Sequence, residues 1–370
     1  MSPISEYELA EALAGAHGPL RIRGGGTRTL DVDGGDTLST GQMTGITLHE
    51  PGALTLVAKA GTPVSDIRAA LRAENQRLAF EPMDHRPLLG TTGAPTIGGV
   101  VAGNVSGPRR IAVGAARDFM LGVRFVDGTG RILKNGGRVM KNVTGYDLVR
   151  LLTGSHGTLG VLSEVSLKVL PDVDAAATLL LSGLSDTQAV KALSAGLGSP
   201  FEITGAAHDP EAGETRLRIE GFANSVTYRA GRLRDLLAPF GRAEVQEGKA
   251  GTAETWAAIR DVTDFADRAG DVWRLSVKPS DAPALVARSG AETVRYDWGG
   301  GLVWLLMPEG VDLRANLGPF KGHATLIRAD EETRRALPAF QPENPVLARL
   351  TAELRAKFDP RGVLNPGVMA

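Results

Sequence analysis

Two patterns of apolar spacing divide the chain. From residue 54, LTLVAKAG sets Leu54, Leu56, Ala58 and Ala60 against Thr55, Val57 and Lys59. That period of two predicts a half-buried strand. TPVSDIRAALRAENQRLA then opens a helix, with Thr62 as its cap, Pro63 at its first position and Asp66 in its first turn. Its apolar face runs through Val64, Ile67, Leu71 and Leu78. LGVRFVDGTGRIL predicts two strands joined at Asp127-Gly128, a hairpin. GVLSEVSLKVLP alternates up to Pro171. Strands linked by helices and hairpins alike fit an α+β fold better than a doubly wound sheet.

Beyond residue 172 the order becomes regular. AATLLLSGLSDTQAVKALSAGLG reads as strand then helix, and ETRLRIEGF as a strand. The helix after it gathers Val226, Ala230, Leu233, Leu237 and Phe240 on one face. The same order returns in VWRLSVKP, SDAPALVARSG, ETVRYDW, GLVWLLMP and GHATLIRA. Two ferredoxin-like halves are expected, sharing one antiparallel sheet with helices on one face. Near Pro338 the chain turns into a terminal helix and a proline-glycine tail. The expected division is 1–171, 172–337 and 338–370.

Composition narrows the function. A chain of 370 residues has room for two domains, and its net charge of -1 provides no basic patch for nucleic acid. With no cysteine, it cannot supply a disulfide, a thiolate nucleophile or the ligands of an iron–sulfur cluster. The N-terminal MSPISEYELAEALAG is acidic and amphipathic, and no apolar run reaches membrane-spanning length, so a cytoplasmic protein is expected. The 47 glycines matter for their placement.

Three runs of glycine precede Pro171. PLRIRGGGTRT carries Arg23, Gly24, Gly25, Gly26 and Thr27. LLGTTGAPTIGGVVAGNVSG carries Thr91, Thr92, Gly93, Thr96, Ile97, Gly98, Gly99, Ala102 and Asn104. LLTGSHGTLGVLSE carries Gly154, Ser155, Gly157, Thr158, Gly160 and Val161. Any one run is readable as a surface turn. Three together suit a backbone approached closely by a nucleotide, its N–H groups aimed at phosphate oxygens. Neither GxxxxGK[ST] nor a helix-opening GxGxxG is present, which leaves out the P-loop and the Rossmann turn.

Together RIRGGGTR, TIGGVVAGNVSG, GAARDFMLGVRFVDGTG, KNVTGYDLVRLLTGSHGTLGVLSEVSLKVLP and FDPRGVLNPG resemble the vanillyl-alcohol-oxidase (PCMH-type) FAD-binding family. The resemblance implies a two-subdomain FAD-binding domain, a cap of antiparallel sheet and helices, and a tail returning to the FAD domain. It implies that Arg23–Thr27 wrap the FAD pyrophosphate and that Thr91–Asn104 hold pyrophosphate and adenosine. Gly154–Val161 would line the flavin and adenine side, and Asn365 would lie near the polar edge of the isoalloxazine. Relatives that tether flavin covalently often carry histidine where this chain has Thr27, so dissociable FAD is expected.

The same resemblance implies a flavoprotein subunit of a complex oxidising glycolate or another small 2-hydroxy acid. Its expected partners are a second flavin subunit bearing an HxH metal motif and an iron–sulfur subunit. The alternatives are a stand-alone dehydrogenase of D-lactate or another alcohol, and an electron-relay or assembly subunit. The six histidines form no HxH or HxxxH pair, and no metal site is expected. His323 in GHATLIR is a candidate base, against a structural strand histidine. Arg274 in VWRLSV is a candidate carboxylate clamp, against an interface ion pair. Trp273 and Trp304 read as core, and Tyr146-Asp147 as a turn and helix start.

Overall fold

The computed structural model describes residues 1–28, 34–138 and 145–369, which leaves part of the KNVTG motif outside the described residues. Nine strands occupy the described residues of the first part of the chain: β1 (Leu20–Arg23), β2 (Asp36–Ser39), β3 (Ile46–Glu50), β4 (Thr55–Lys59), β5 (Gln76–Arg77), β6 (Met120–Val126), β7 (Ile132–Gly136), β8 (Val161–Lys168) and β9 (Leu170–Pro171). β1 and β2 form a parallel pair. The main sheet runs β3-β4-β8-β6-β7, antiparallel throughout, with β6 and β7 forming the expected hairpin.

Two local expectations change. β4 is buried on both sides, Val57 as fully as Leu56 and Ala58, because it is an interior strand covered on each face. The next helix spans Val64–Ala73, and Pro63 rather than Thr62 holds the cap position. The Thr62 hydroxyl donates back to Lys59 O at 2.7 Å. The chain then leaves the helix through Asn75 at φ 52°, which puts Leu78 beyond it. Asp147 does start a helix, accepting from Arg150 N at 3.0 Å, beside an exposed Tyr146.

The second sheet contains β10 (Ala175–Ser182), β11 (Ile203–Asp209), β12 (Glu214–Gly221), β13 (Glu244–Glu247), β14 (Asp271–Val277), β15 (Thr293–Asp297), β16 (Leu302–Met307) and β17 (Gly322–Arg328). Its order is β13-β10-β12-β11-β15-β16-β14-β17. Each half is strand-helix-strand-strand-helix-strand, the ferredoxin-like order, and the halves meet where His208 pairs with Tyr296. Helices Asp186–Leu197 and Ala223–Leu237 bury Leu193, Val226, Ala230 and Leu233 against Leu217 and Ile219 of β12. Each such Leu, Val or Ile side chain contributes about 1.5–3 kcal/mol by leaving water.

The expectation of helices on one face only fails at Lys249–Asp261. Thr178 points away from the side that Leu179 buries, and Trp256 Nε1 donates to its hydroxyl at 3.0 Å. Gly205 makes room for that indole, since a Cβ there would lie 2.5 Å from the ring. A large aromatic needs cover as much as a partner, and the first sheet's side provides it.

The two sheets share a core and a charge network. Val272, Leu302, Trp304 and Leu306 join Leu56, Phe125 and Leu167 in one apolar cluster, while Trp273 is buried on the other face. Beside it, Arg109 bonds Glu220 Oε2 through Nε at 3.0 Å and pairs with Glu81 at 3.1 Å. Arg218 of β12 reaches Glu81 at 2.9 Å. Asp359 Oδ2 accepts from Leu364 N at 2.7 Å, and Leu364 bridges Leu20, so the tail returns to β1.

Burial opposes the ionisation of Glu81 and Glu220, but Arg218 and Arg109 outweigh it and hold both below the ordinary 4.5. The pairing therefore stabilises fully above that pH and is lost as pH falls through the depressed values. Arg109→Ala should cost about 1–3 kcal/mol in urea unfolding at pH 7, because it takes one cation from two buried carboxylates that keep Arg218 and Arg77. The deficit should shrink below pH 4; a pH-independent deficit would assign the loss to packing alone.

Candidate cofactor and substrate site

The three glycine runs meet. Gly24–Gly26 leave the end of β1 and press against the 91–95 segment. A Cβ on Gly25 would lie 1.5 Å from Ala94 O, and one on Gly93 would lie 1.6 Å from Gly25 O. Thr91 Oγ1 locks the contact by donating to Thr27 O at 3.0 Å. Gly26 takes φ +72° with the Arg23 guanidinium folded over it. Thr92 is exposed on the same segment.

Thr96 caps the Ile97–Ala102 helix by accepting from Gly99 N at 3.3 Å. Gly98 faces the sheet: a Cβ would sit 2.7 Å from Ala60 Cβ and 2.8 Å from Ala60 O. Its bareness serves helix-on-strand packing, together with fully buried Ile97. Gly99 faces the other way, toward Thr96 Oγ1 and the Arg28 guanidinium.

The third run folds onto this helix. Gly154 N donates to Val101 O at 3.1 Å and His156 N to Ala102 O at 2.9 Å. Asn104 supports the neighbouring loop by accepting from Arg117 N. Ser155 and Thr158 spend their hydroxyls on Leu152 O and Ser155 O. Gly160 accommodates the Phe125 ring, and Val161 is core. Asn365 accepts from Ile22 N at 2.7 Å and donates to His156 O at 2.8 Å. It is buried, and it ties the first run to the third across the returning tail.

Sequence reasoning missed Arg28. Its guanidinium donates to Gly99 O and covers Gly103, where a Cβ would fall 1.9 Å from Nη1. It makes no ion pair among the described residues. Burial lowers its pKa to about 10. Burial, then Arg28, pushes His156 down to about 3; burial, then Arg28 and Arg274, does the same to His85. Both imidazoles are therefore neutral at pH 7. An arginine two residues past a glycine run was the available signal, but no pattern says that it will go unpaired.

The second sheet contributes a matching group. Arg274 lies on β14 and His323 on the adjacent β17, two residue pairs apart in register, since Arg274 faces Thr325 and Ser276 faces His323. Arg274 makes no ion pair either; it stacks over Trp298 at 5.3 Å and Trp304 at 6.0 Å. Arg110 stacks on the same Trp298 at 4.6 Å. Trp298 is held at φ 53° by its Nε1 bond to Gly107 O and by Asp297 Oδ1, which accepts from its N–H at 2.6 Å. Such a conformation costs a bulky residue roughly 1–3 kcal/mol. Burial lifts Asp297 to about 7. Burial, then Arg274 and Arg110, lowers His323, which is neutral at pH 7 and free to accept a proton.

These groups suit an anionic ligand. Unpaired guanidiniums beside bare backbone and neutral imidazoles match a pyrophosphate at Arg28 and a carboxylate at Arg274. The glycine roles separate experimentally. Gly98→Val should lower the melting temperature with or without added FAD, by several degrees, through its clash with Ala60. Gly99→Ala should melt near wild type without FAD, and differential scanning fluorimetry would decide. Equal damage from both would remove the distinction.

The FAD binding domain family model matches residues 1–136. Glycolate oxidase subunit GlcE of Escherichia coli (strain K12) is 36% identical over 337 residues, 90% of this chain and 87% of that one. Glycolate oxidase subunit GlcD of Bacillus subtilis (strain 168) is 34% identical over 44% of this chain and 34% of its own length. A D-lactate dehydrogenase of Archaeoglobus fulgidus is 34% identical over 42% of this chain and 34% of its own length. In solved structures, alkyldihydroxyacetonephosphate synthase superposes with a TM-score of 0.70 over 99% of this chain and 76% of that one, at 16% identity, a likeness of fold. No helix among the described residues is long and apolar enough to cross a membrane. The chain belongs to the PCMH-type FAD-binding family, alongside glycolate oxidase subunit GlcE.

Proposed function

We propose that this chain is an FAD-carrying subunit of a complex that oxidises glycolate or a similarly small 2-hydroxy acid. The observation that carries this reading is the pair of arginines, Arg28 and Arg274, that have no ion pair among the described residues and converge electrostatically on His85. The similarity to GlcE over 90% of the chain supplies the substrate class. Residues 1–171 would hold FAD, 172–337 would cover it, and 338–370 would close the FAD side through Asn365.

Arg28 would neutralise the pyrophosphate, with Gly24–Gly26, Thr27, Thr91–Gly93 and Gly99 as the bare wall around it. Gly98, Gly160, Ile97 and Val161 would act by packing that wall in place. FAD, when bound, supplies the two-electron acceptor. Arg274 would hold the substrate carboxylate, positioned from behind by Trp298 and Trp304. His323, neutral at pH 7, would take the proton of the 2-hydroxyl. Arg110 would add positive potential where negative charge develops. The cysteine-free chain leaves onward electron transfer to partners, an iron–sulfur subunit and an HxH-bearing flavin subunit.

The purified protein should be yellow and release intact FAD on acid precipitation. Arg28→Ala should weaken FAD binding at least tenfold by fluorescence titration, since a charge-assisted bond to phosphate is lost. Anaerobic stopped-flow reduction of the FAD by glycolate or D-lactate should fall at least tenfold in Arg274→Ala. In wild type it should decline as His323 protonates below pH 6.5. Wild-type reduction rates in Arg274→Ala with a reducing partner subunit present, and none by substrate alone, would favour electron relay instead.

A further inference from the structure

A second cationic site lies apart from Arg28 and Arg274. Between helices Val64–Ala73 and Lys249–Asp261 is a cavity of about 280 Å³. Basic residues on its wall outnumber acidic ones seven to three. Much of that charge is already matched. Arg109 and Arg218 are neutralised by Glu81 and Glu220, and Lys249 meets Asp172 at 2.7 Å. Arg260 is paired with its neighbour Asp261 at 2.6 Å, and Arg77 pairs through Nη1 with Glu220 at 3.0 Å.

Arg68 and Arg72 remain. They stand four residues apart on one helix, where like charges repel, and neither makes an ion pair among the described residues. Arg68 gives one hydrogen bond, to Pro82 O at 3.1 Å. Its pKa is lowered by burial and then by the positive charge of Arg260 facing it. The Nε of Arg77 is buried without a hydrogen-bond partner. Folding has therefore concentrated positive charge around a void and left donors unused. Arg68 is half-buried, where unmatched charge is costly, and Arg72 is exposed.

We propose that this cavity binds a small organic polyanion carrying two or more carboxylate or phosphate groups, held by Arg68, Arg72 and Arg77. Its volume lies at the lower edge of ligand pockets, the size of a tricarboxylate or a short phosphorylated metabolite rather than of a nucleotide. The ligand would bridge the two sheets, because its wall comes from both. Glu81 and Arg218 line the cavity and pair with each other across the two units at 2.9 Å.

The test is calorimetric titration of the FAD-saturated protein with tricarballylate and, separately, with inorganic pyrophosphate, at constant ionic strength. One saturable site is expected for at least one probe, weakened tenfold or more in Arg68→Gln/Arg72→Gln. Tricarballylate alone binding would identify a polycarboxylate, pyrophosphate alone a phosphorylated compound, and both a site that reads charge. Arg232→Gln/Arg234→Gln removes the same charge from an exposed helix and should leave the affinity unchanged, as should Arg274→Ala. No saturable binding of either probe would overturn the proposal. So would unchanged affinity in the Arg68/Arg72 variant, or loss of binding in Arg274→Ala.

Discussion

The packing of the two sheets depends on one buried ionic lattice. Glu81 and Arg109 come from the first unit, and Arg218 and Glu220 from β12 of the second. Desolvating any one of these charges alone would be prohibitive, and together they are satisfied. The lattice therefore demands a particular approach of the two units, which the apolar contacts of Trp304 and Leu306 would not enforce alone. Trp256, stacked against Arg218 at 4.7 Å, extends this constraint into the second sheet.

Against that matched interior, the site stands out by its imbalance. Arg28, Arg110 and Arg274 make no ion pair among the described residues, and the nearby histidines are driven neutral. Two kinds of buried arginine thus coexist in one molecule. Those between the units are consumed by ion pairs, and the others are not. Trp298 holds the second kind apart from Asp297 by offering its ring faces to the cations.

The glycines also divide by task. Gly25 and Gly93 allow two loops to touch through their backbones, Gly98 seats a helix on β4, and Gly205 admits an indole. Gly99 is bare on the Arg28 side. A run such as TIGG therefore combines packing with exposure in adjacent residues, because a helix turns successive positions to different faces.

Much was legible in the amino-acid order alone. The α+β class, the β6–β7 hairpin, the doubled ferredoxin-like order of the second sheet and the three glycine runs follow from local periodicity and turn chemistry, which act over a few residues. Arg274 and His323 could be nominated by type and by their strands. Tertiary structure decided the rest. Only folding shows that Arg109 is neutralised while Arg28 is not, since pairing depends on residues up to 111 positions apart. Only folding turns Gly98 toward Ala60 and commits Asn365 to Ile22 and His156. It also sends the Lys249–Asp261 helix to the unexpected face of the sheet, where Thr178 supplies a hydrogen-bond acceptor for Trp256. Local pattern reports which face of an element is apolar; burial and charge compensation depend on what the distant chain brings to that face.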